Sequence, residues 1–340
     1  MEASTACGLK FSDDITLFDA KKVPKIGSVD FGKVAVLLGD DSPERQVSLS
    51  SGERVLDVLK KAGVNCQAFD PVNGVEGLDR NHFDRVFLAL HGVGGEDGLI
   101  QGYLERVGLP YTGSNVLSSA LSMDKGRCKS LFKSVGLPTP EYCLPRNFDD
   151  VERFVSEVGL PIVIKPNASG SSVGVYRVFH SNELSKAYEA AKSFGSPIVE
   201  RLIAGADYTI SIVDNQYLPT IKIVPKSGFY DYESKYQAGM TEYHCPSDLT
   251  QEEEQVLARM TFHAYQVLQC RHYARADWIR DAQGQFWLLE MNTLPGLTNT
   301  SLLPKAAKVV GVSYEDLIHY LLFQTLPLSV RGTVMAKSCV

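Results

Sequence analysis

The residue types best suited to chemistry cluster near the C-terminus, in Arg275-Ala276-Asp277 and, fifteen residues after Arg275, Glu290-Met291-Asn292. Asp277, Glu290 and Asn292 offer two carboxylates and an amide oxygen. These are hard donors of the kind Mg²⁺ takes while leaving its other positions to water and substrate phosphates. Asp281-Ala282-Gln283-Gly284 is turn-like, so the segment reads as a β-hairpin with Arg280 opposite Gln285, Asp277 opposite Leu288 and Arg275 opposite Glu290. Alternation along strands puts Arg275, Asp277, Glu290 and Asn292 on one side of the sheet, and Trp278 and Trp287 on the other. Carboxylates on strands are usually just solvated. Here the apolar run Phe286-Trp287-Leu288-Leu289 draws the strand into a core and leaves Glu290 needing a partner.

Two further segments carry groups that suit a polyphosphate. Pro161 to Pro166 reads as a strand with Lys165 near its end, followed by the Gly/Ser loop Asn167 to Gly174, whose backbone N–H groups and hydroxyls can cover phosphates. The pattern G-x-x-x-x-G-K-[ST] is absent, which excludes a phosphate-loop NTPase. In the N-terminal half, Gly39 to Arg45 and His91-Gly92-Val93-Gly94-Gly95-Glu96-Asp97-Gly98 follow apolar strands, where α/β sheets bind ligands. His91 there adjoins several backbone donors.

The elements that must position these groups are those of an α/β chain. Val34 to Leu38, Asn65 to Phe69 and Arg85 to Leu90 are strand-like and Ser48 to Lys61 helix-like, which predicts a parallel sheet. A helix over Lys125 to Val135 and the break Pro138-Thr139-Pro140 open a second α/β unit, with a hinge near Arg201 to Asp207. Residues 1–32 read as an N-terminal extension and 33–124 as an α/β substrate-binding domain. Residues 125–203 and 204–330 then form two α+β subdomains, the second bearing a long polar and aromatic loop over 228–247, and 331–340 is a tail. The 340 residues carry a net charge of −6, which argues against a dedicated nucleic-acid or anionic-membrane surface. Seven scattered cysteines without a C-x-x-C pair fit a reducing cytoplasm. No stretch has the length and apolarity of a membrane span, so a soluble protein is expected.

Taken in order, these motifs resemble those of the D-alanine:D-alanine ligases of the ATP-grasp superfamily, across residues 33 to about 325. The resemblance rests on Ser42 to Ser48, His91 to Gly98, Tyr111-Thr112-Gly113-Ser114, Ser122-Met123-Asp124-Lys125, Lys165-Pro166, Gly170 to Gly174, Phe229 to Tyr236, Arg275 with Asp277, and Glu290 to Gly296. It implies an ATP-grasp fold in which two α+β subdomains clamp ATP beside an N-terminal parallel α/β domain. It also implies a two-step reaction for peptidoglycan precursor synthesis. ATP phosphorylates the carboxylate of one D-alanine, and the amine of a second attacks the acyl phosphate.

The resemblance also implies roles for residues. Lys125 and Lys165 meet the α- and β-phosphates, Lys235 the γ-phosphate, and Ser172 and Val173 cover them from the loop. Glu200, Arg201 and Ile203 flank adenine and Asp207 the ribose. Two Mg²⁺ ions, or Mn²⁺, sit at Asp277, Glu290 and Asn292. Arg275 and the backbone N–H of Gly296 face the oxyanion of the tetrahedral intermediate. Glu44 pairs with the ammonium of the first D-alanine, with Val47 and Ser48 beside it, and Ser171 and Tyr236 link to close the lid. His91 orients substrate, and Ser301 and Leu302 receive the second carboxylate. A homodimer is the family expectation. Asp207 stands where Glu is usual, Arg201 where Lys is usual, and Asp40, Val93 and Thr300 also depart from the family pattern. Two other readings stand beside this one: a D-alanine:D-lactate ligase, disfavoured by Lys235-Tyr236, and a silent nucleotide sensor, disfavoured by the complete ligand set.

Overall fold

The computed structural model describes residues 14–24, 29–171, 173–230, 237, 239–298 and 300–338. Thr16–Leu17 forms a short strand, β1. The chain then builds a three-stranded parallel sheet from β2 (Val34–Leu37), β3 (Cys66–Phe69) and β4 (Arg85–Leu88), in the order β3-β2-β4. β2 is buried along its whole length, as expected of a central parallel strand covered on both faces. Helix α1 (Arg45–Lys61) packs on this sheet through Val55, Val58 and Leu59. Gly52 permits the close approach, since a Cβ there would collide with Leu38. Each such buried aliphatic contributes roughly 1.5–3 kcal/mol. Helices α2 (Leu99–Val107) and α3 (Val116–Met123) complete this part.

A second sheet holds β5 (Tyr142–Cys143), β6 (Ile162–Pro166), β7 (Tyr176–Val178) and β8 (Pro197–Arg201), in the order β5-β8-β6-β7, all pairs antiparallel. It is preceded by α4 (Lys125–Ser134) and backed by α5 (Phe148–Val158) and α6 (Leu184–Lys192). The third and largest sheet comprises β9 (Gly205–Val213), β10 (Gln216–Tyr217), β11 (Ile221–Pro225), β12 (Thr241–His244), β13 (Tyr273–Asp281), β14 (Phe286–Asn292) and β1. Helices α7 (Gln251–Val267), α8 (Leu302–Val309), α9 (Tyr314–Phe323) and α10 (Leu328–Ser338) follow the C-terminal half of the chain. Among the described residues, no helix is long and apolar enough to cross a membrane. The mixed α/β class expected of the sequence is the one observed.

Three expectations need correction. The hairpin register differs: Arg280 lies opposite Phe286 and Trp278 opposite Leu288, after which a bulge skips Leu289 and sets Asp277 opposite Glu290 and Arg275 opposite Asn292. Trp287 lies on the turn side of the bulge and pairs with Ile279, which puts it on the face opposite Trp278; its indole N–H donates to Asp281 Oδ2 at 2.8 Å. Second, the region 228–247, read as an aperiodic loop, contains β12, which pairs with β11. Third, part of the N-terminal extension is built into the fold: β1 pairs with β10, Phe18 packs edge-on against Tyr320, and Phe31 enters the N-terminal core.

Candidate functional site

Two cavities, of about 440 and 410 Å³, meet at a common wall. The first is lined by Glu44, Val47 and His91 from the N-terminal part and by Arg275, Gly296, Ser301 and Leu302 from the C-terminal part. The second lies between the β6–β8 sheet and the β13–β14 hairpin, lined by Lys165, Val173, Glu200, Arg201, Ile203, Asp207 and Asp277. Lys125, Ser169, Gly170, Tyr230 and Glu290 border both.

The bulge brings the two acidic residues into register, so their carboxylates share the face toward the second cavity. Both are already charge-compensated. Arg275 holds Asp277 bidentately, Nε to Oδ1 at 2.9 Å and a terminal N–H to Oδ2 at 2.8 Å, while Thr209 Oγ1 donates to Oδ1 at 2.7 Å. Burial alone would lower the pKa of the Arg275 guanidinium, but Asp277 outweighs it and holds the pKa above the ordinary arginine value. Lys125 Nζ lies 3.3 Å from Glu290 Oε2 and donates to Ser169 O at 2.6 Å, tying the hairpin to the Gly/Ser loop. Asn292 Oδ1 accepts from Leu294 N at 2.9 Å. Among the described residues no three His, Cys, Asp or Glu side chains form a metal cage. Asp277 lines the second cavity, Asn292 the first and Glu290 both, a set of oxygen donors of the kind that suits a cation completing its shell with substrate oxygens.

In the first cavity Ser171 Oγ donates to Glu44 Oε2 at 2.5 Å, and a Cβ at Gly170 would collide with the same carboxylate. His91, buried beside them, is 3.3 Å from Ser51 Oγ through Nε2 and 3.5 Å from Glu96 Oε1 through Nδ1. Burial pushes Glu96 above the ordinary carboxylate pKa, with His91 opposing and Glu44 adding to the rise. Ser301 stands at the N-cap of α8, where its Oγ accepts from Thr298 N at 2.9 Å. Asp40, where the family favours glycine, adopts a left-handed φ of +64°, a conformation that Asp tolerates better than most residues.

One site expectation takes a different form. Ser48 is off the cavity and fully buried; its hydroxyl accepts from Gly39 N at 2.8 Å and donates to Ala89 O at 2.9 Å, stitching two strand ends together. Glu200 lines the second cavity, and its carboxylate is held between Lys165 Nζ at 3.0 Å and Lys129 Nζ at 3.5 Å. Ser172, Lys235 and Tyr236 lie outside the described residues. Sequence reasoning passed over Glu96, Lys129 and Thr209. Glu96 could have been found from its place in the His91 loop, and Lys129 from its position one helical turn after Lys125.

Comparison with known proteins decides the family. The model described as D-ala D-ala ligase C-terminus matches residues 131–323, and that described as D-ala D-ala ligase N-terminus matches 70–114. The chain belongs to the D-alanine–D-alanine ligase family. It is 46% identical over 287 residues to the D-alanine–D-alanine ligase of Alkalilimnicola ehrlichii, covering 84% of this chain and 92% of that one. It is also similar to the crystal structure of the Bacillus anthracis ligase, with TM-score 0.76, 35% identity, and coverage of 88% of this chain and 99% of that one. The same enzyme complexed with ATP matches with TM-score 0.75 and 33% identity over 89% of this chain and 99% of its own.

Proposed function

We propose that the protein joins two D-alanine molecules into D-alanyl-D-alanine at the expense of ATP, releasing ADP and phosphate, as a step of peptidoglycan precursor synthesis. One observation carries this reading: a phosphate-suited cavity and an amino-acid-suited cavity share a wall that bears Lys125 and Glu290. Phosphoryl transfer from one to the other has to cross that wall.

In this reading the second cavity takes ATP, with adenine near Ile203 and Arg201, ribose near Asp207, and the phosphates toward Lys125 and Lys165. Asp277, Glu290 and Asn292 would hold one or two Mg²⁺ or Mn²⁺ ions. Such ions, when bound, neutralise the phosphoryl oxygens during transfer. Lys125 and Arg275, which now balance the carboxylates, turn toward phosphate and acyl oxygens once that charge is matched. Glu44 anchors the ammonium of the first D-alanine, and the Ser171 hydroxyl fixes the orientation of that carboxylate. The second D-alanine sets its carboxylate at Ser301 and Leu302, at the start of α8, where the helix dipole favours an anion. Its amine attacks the acyl phosphate. The oxyanion of the tetrahedral intermediate faces Arg275 and the Gly296 N–H, and collapse of the intermediate expels phosphate.

The protein would work in the cytoplasm as a homodimer. Leu99 and Leu117, both largely exposed on the neighbouring helices α2 and α3, supply apolar surface for an interface. Incubating the protein with ATP, Mg²⁺ and D-alanine, and identifying the product by mass spectrometry, tests the reading. D-alanine-dependent phosphate release with dipeptide formation supports it; phosphate release with no dipeptide opposes it.

A further inference from the structure

A cluster of charge borders the second cavity and runs from it into the interior. Lys129, one turn after Lys125 on α4, has no exposed surface, and its Nζ lies 3.5 Å from Glu200 Oε1. Glu200, on β8 and 3% exposed, gives its other oxygen to Lys165 Nζ on β6 at 3.0 Å. Lys129 Nζ also donates to Thr139 Oγ1 at 2.8 Å, and Thr139 Oγ1 donates to Leu288 O at 2.7 Å, two residues before Glu290 on β14. The ammonium of Lys129 thus holds Glu200 directly and reaches β14 through the Thr139 hydroxyl, without lining either cavity.

Burying a lysine this completely is costly, and an ion pair of this kind can often be replaced by apolar packing at no loss of stability. Stability alone therefore does not account for it. The charge count does. One carboxylate is shared by two ammonium groups, so the trio carries a net positive charge, and Lys165, which lines the cavity beside Glu200, is not fully neutralised by it. Without the Lys129 charge, Glu200 and Lys165 become a closed one-to-one pair, and the net positive charge of the trio beside the phosphates is lost.

We propose that Lys129 is a positioning residue for nucleotide binding: by sharing Glu200, it leaves the charge of Lys165 available to the phosphates of ATP. This deepens the reading of the second cavity as the ATP site and rests on it. The consequence is selective. Ligands with phosphates feel Lys129, whereas adenosine, which has none, does not.

The test is calorimetric titration of ATP and of adenosine into the full-length protein and two variants. In Lys129→Met the ATP dissociation constant should rise by roughly tenfold, the scale of one unit charge acting over about 10 Å at an effective dielectric near 20. Adenosine affinity should stay unchanged. The double variant Lys129→Met/Glu200→Gln restores the net positive wall, because Lys165 then has no counter-charge, and should regain most of the lost ATP affinity. It also removes the unbalanced carboxylate, so it keeps the proposal testable if the single variant fails to fold. Equal losses for ATP and adenosine, unchanged ATP affinity in Lys129→Met, or a double variant that binds ATP as weakly as the single one or more weakly would each overturn the proposal. Failure of the unaltered protein to bind ATP would instead overturn the assignment of the cavity itself.

Discussion

Ser171 Oγ donates to Glu44 Oε2 at 2.5 Å, joining the Gly/Ser loop of the central sheet to the first turn of α1 across 127 residues of sequence. The contact spans the first cavity, so closing the loop and orienting the substrate-facing carboxylate become one event. Ser171→Ala should remove a hydrogen bond to a charged acceptor worth about 1.5–3 kcal/mol. Steady-state kinetics should show kcat/KM for D-alanine down by about 10- to 100-fold, with the melting temperature little changed. Unaltered kinetics would detach the contact from catalysis.

Glu290→Gln keeps volume and removes a ligand charge at the wall between the cavities. Turnover should fall by on the order of a hundredfold or more, comparable to the loss of one preorganised electrostatic contact. Thermal unfolding should hardly move, because Glu290 is a half-buried cavity residue rather than a core one. A large loss of stability with activity retained would contradict the metal assignment.

Ser48 supplies the opposite signature. Its hydroxyl satisfies Gly39 N and Ala89 O inside the fold, so Ser48→Ala should cost about 1–3 kcal/mol in denaturant unfolding. The KM for D-alanine should stay close to that of the unaltered protein. A raised KM without loss of stability would return Ser48 to the substrate site.

Burial lowers the Lys129 pKa to about 8, against the pull of Glu200 and with Lys165 adding to the fall. Glu200 on β8 and Lys165 on β6 are the charged groups that face it, and burial raises the adjoining Cys128 thiol far enough to keep it neutral. As pH rises through about 8, Lys129 loses its charge and ATP affinity should fall, whereas Lys129→Met should lack that step. The stability sign is separate. Between about 8 and the ordinary lysine value the unfolded chain holds the extra proton, so this group's contribution to stability rises with pH in that window. Titrations of ATP at pH 7 and pH 9 in both proteins check the binding step.

Much of this was legible because the informative groups are local. The unbroken burial of β2, the alternating burial of β14, the turn at Asp281 to Gly284, and the carboxylates of Asp277 and Glu290 all follow from neighbours in sequence. The bulge at Leu289 was not legible: nothing in Phe286 to Asn292 marks which residue the partner strand skips, and one residue of slip changes every facing. The surroundings of Ser48 and Glu200 were not legible for a related reason. Each has its partners on distant segments, so only the assembled fold shows that Ser48 bonds Ala89 and that Glu200 lies between two lysines.

The central claim is that the shared wall couples ATP to the joining of two D-alanines. Its most direct test is the stoichiometry of phosphate released to D-alanyl-D-alanine formed, with ATP and Mg²⁺, comparing D-alanine, L-alanine, and D-alanine with D-lactate. The account predicts one phosphate per dipeptide, dependent on D-alanine and absent with L-alanine. Phosphate release without dipeptide, or an ester with D-lactate as the main product, would contradict it.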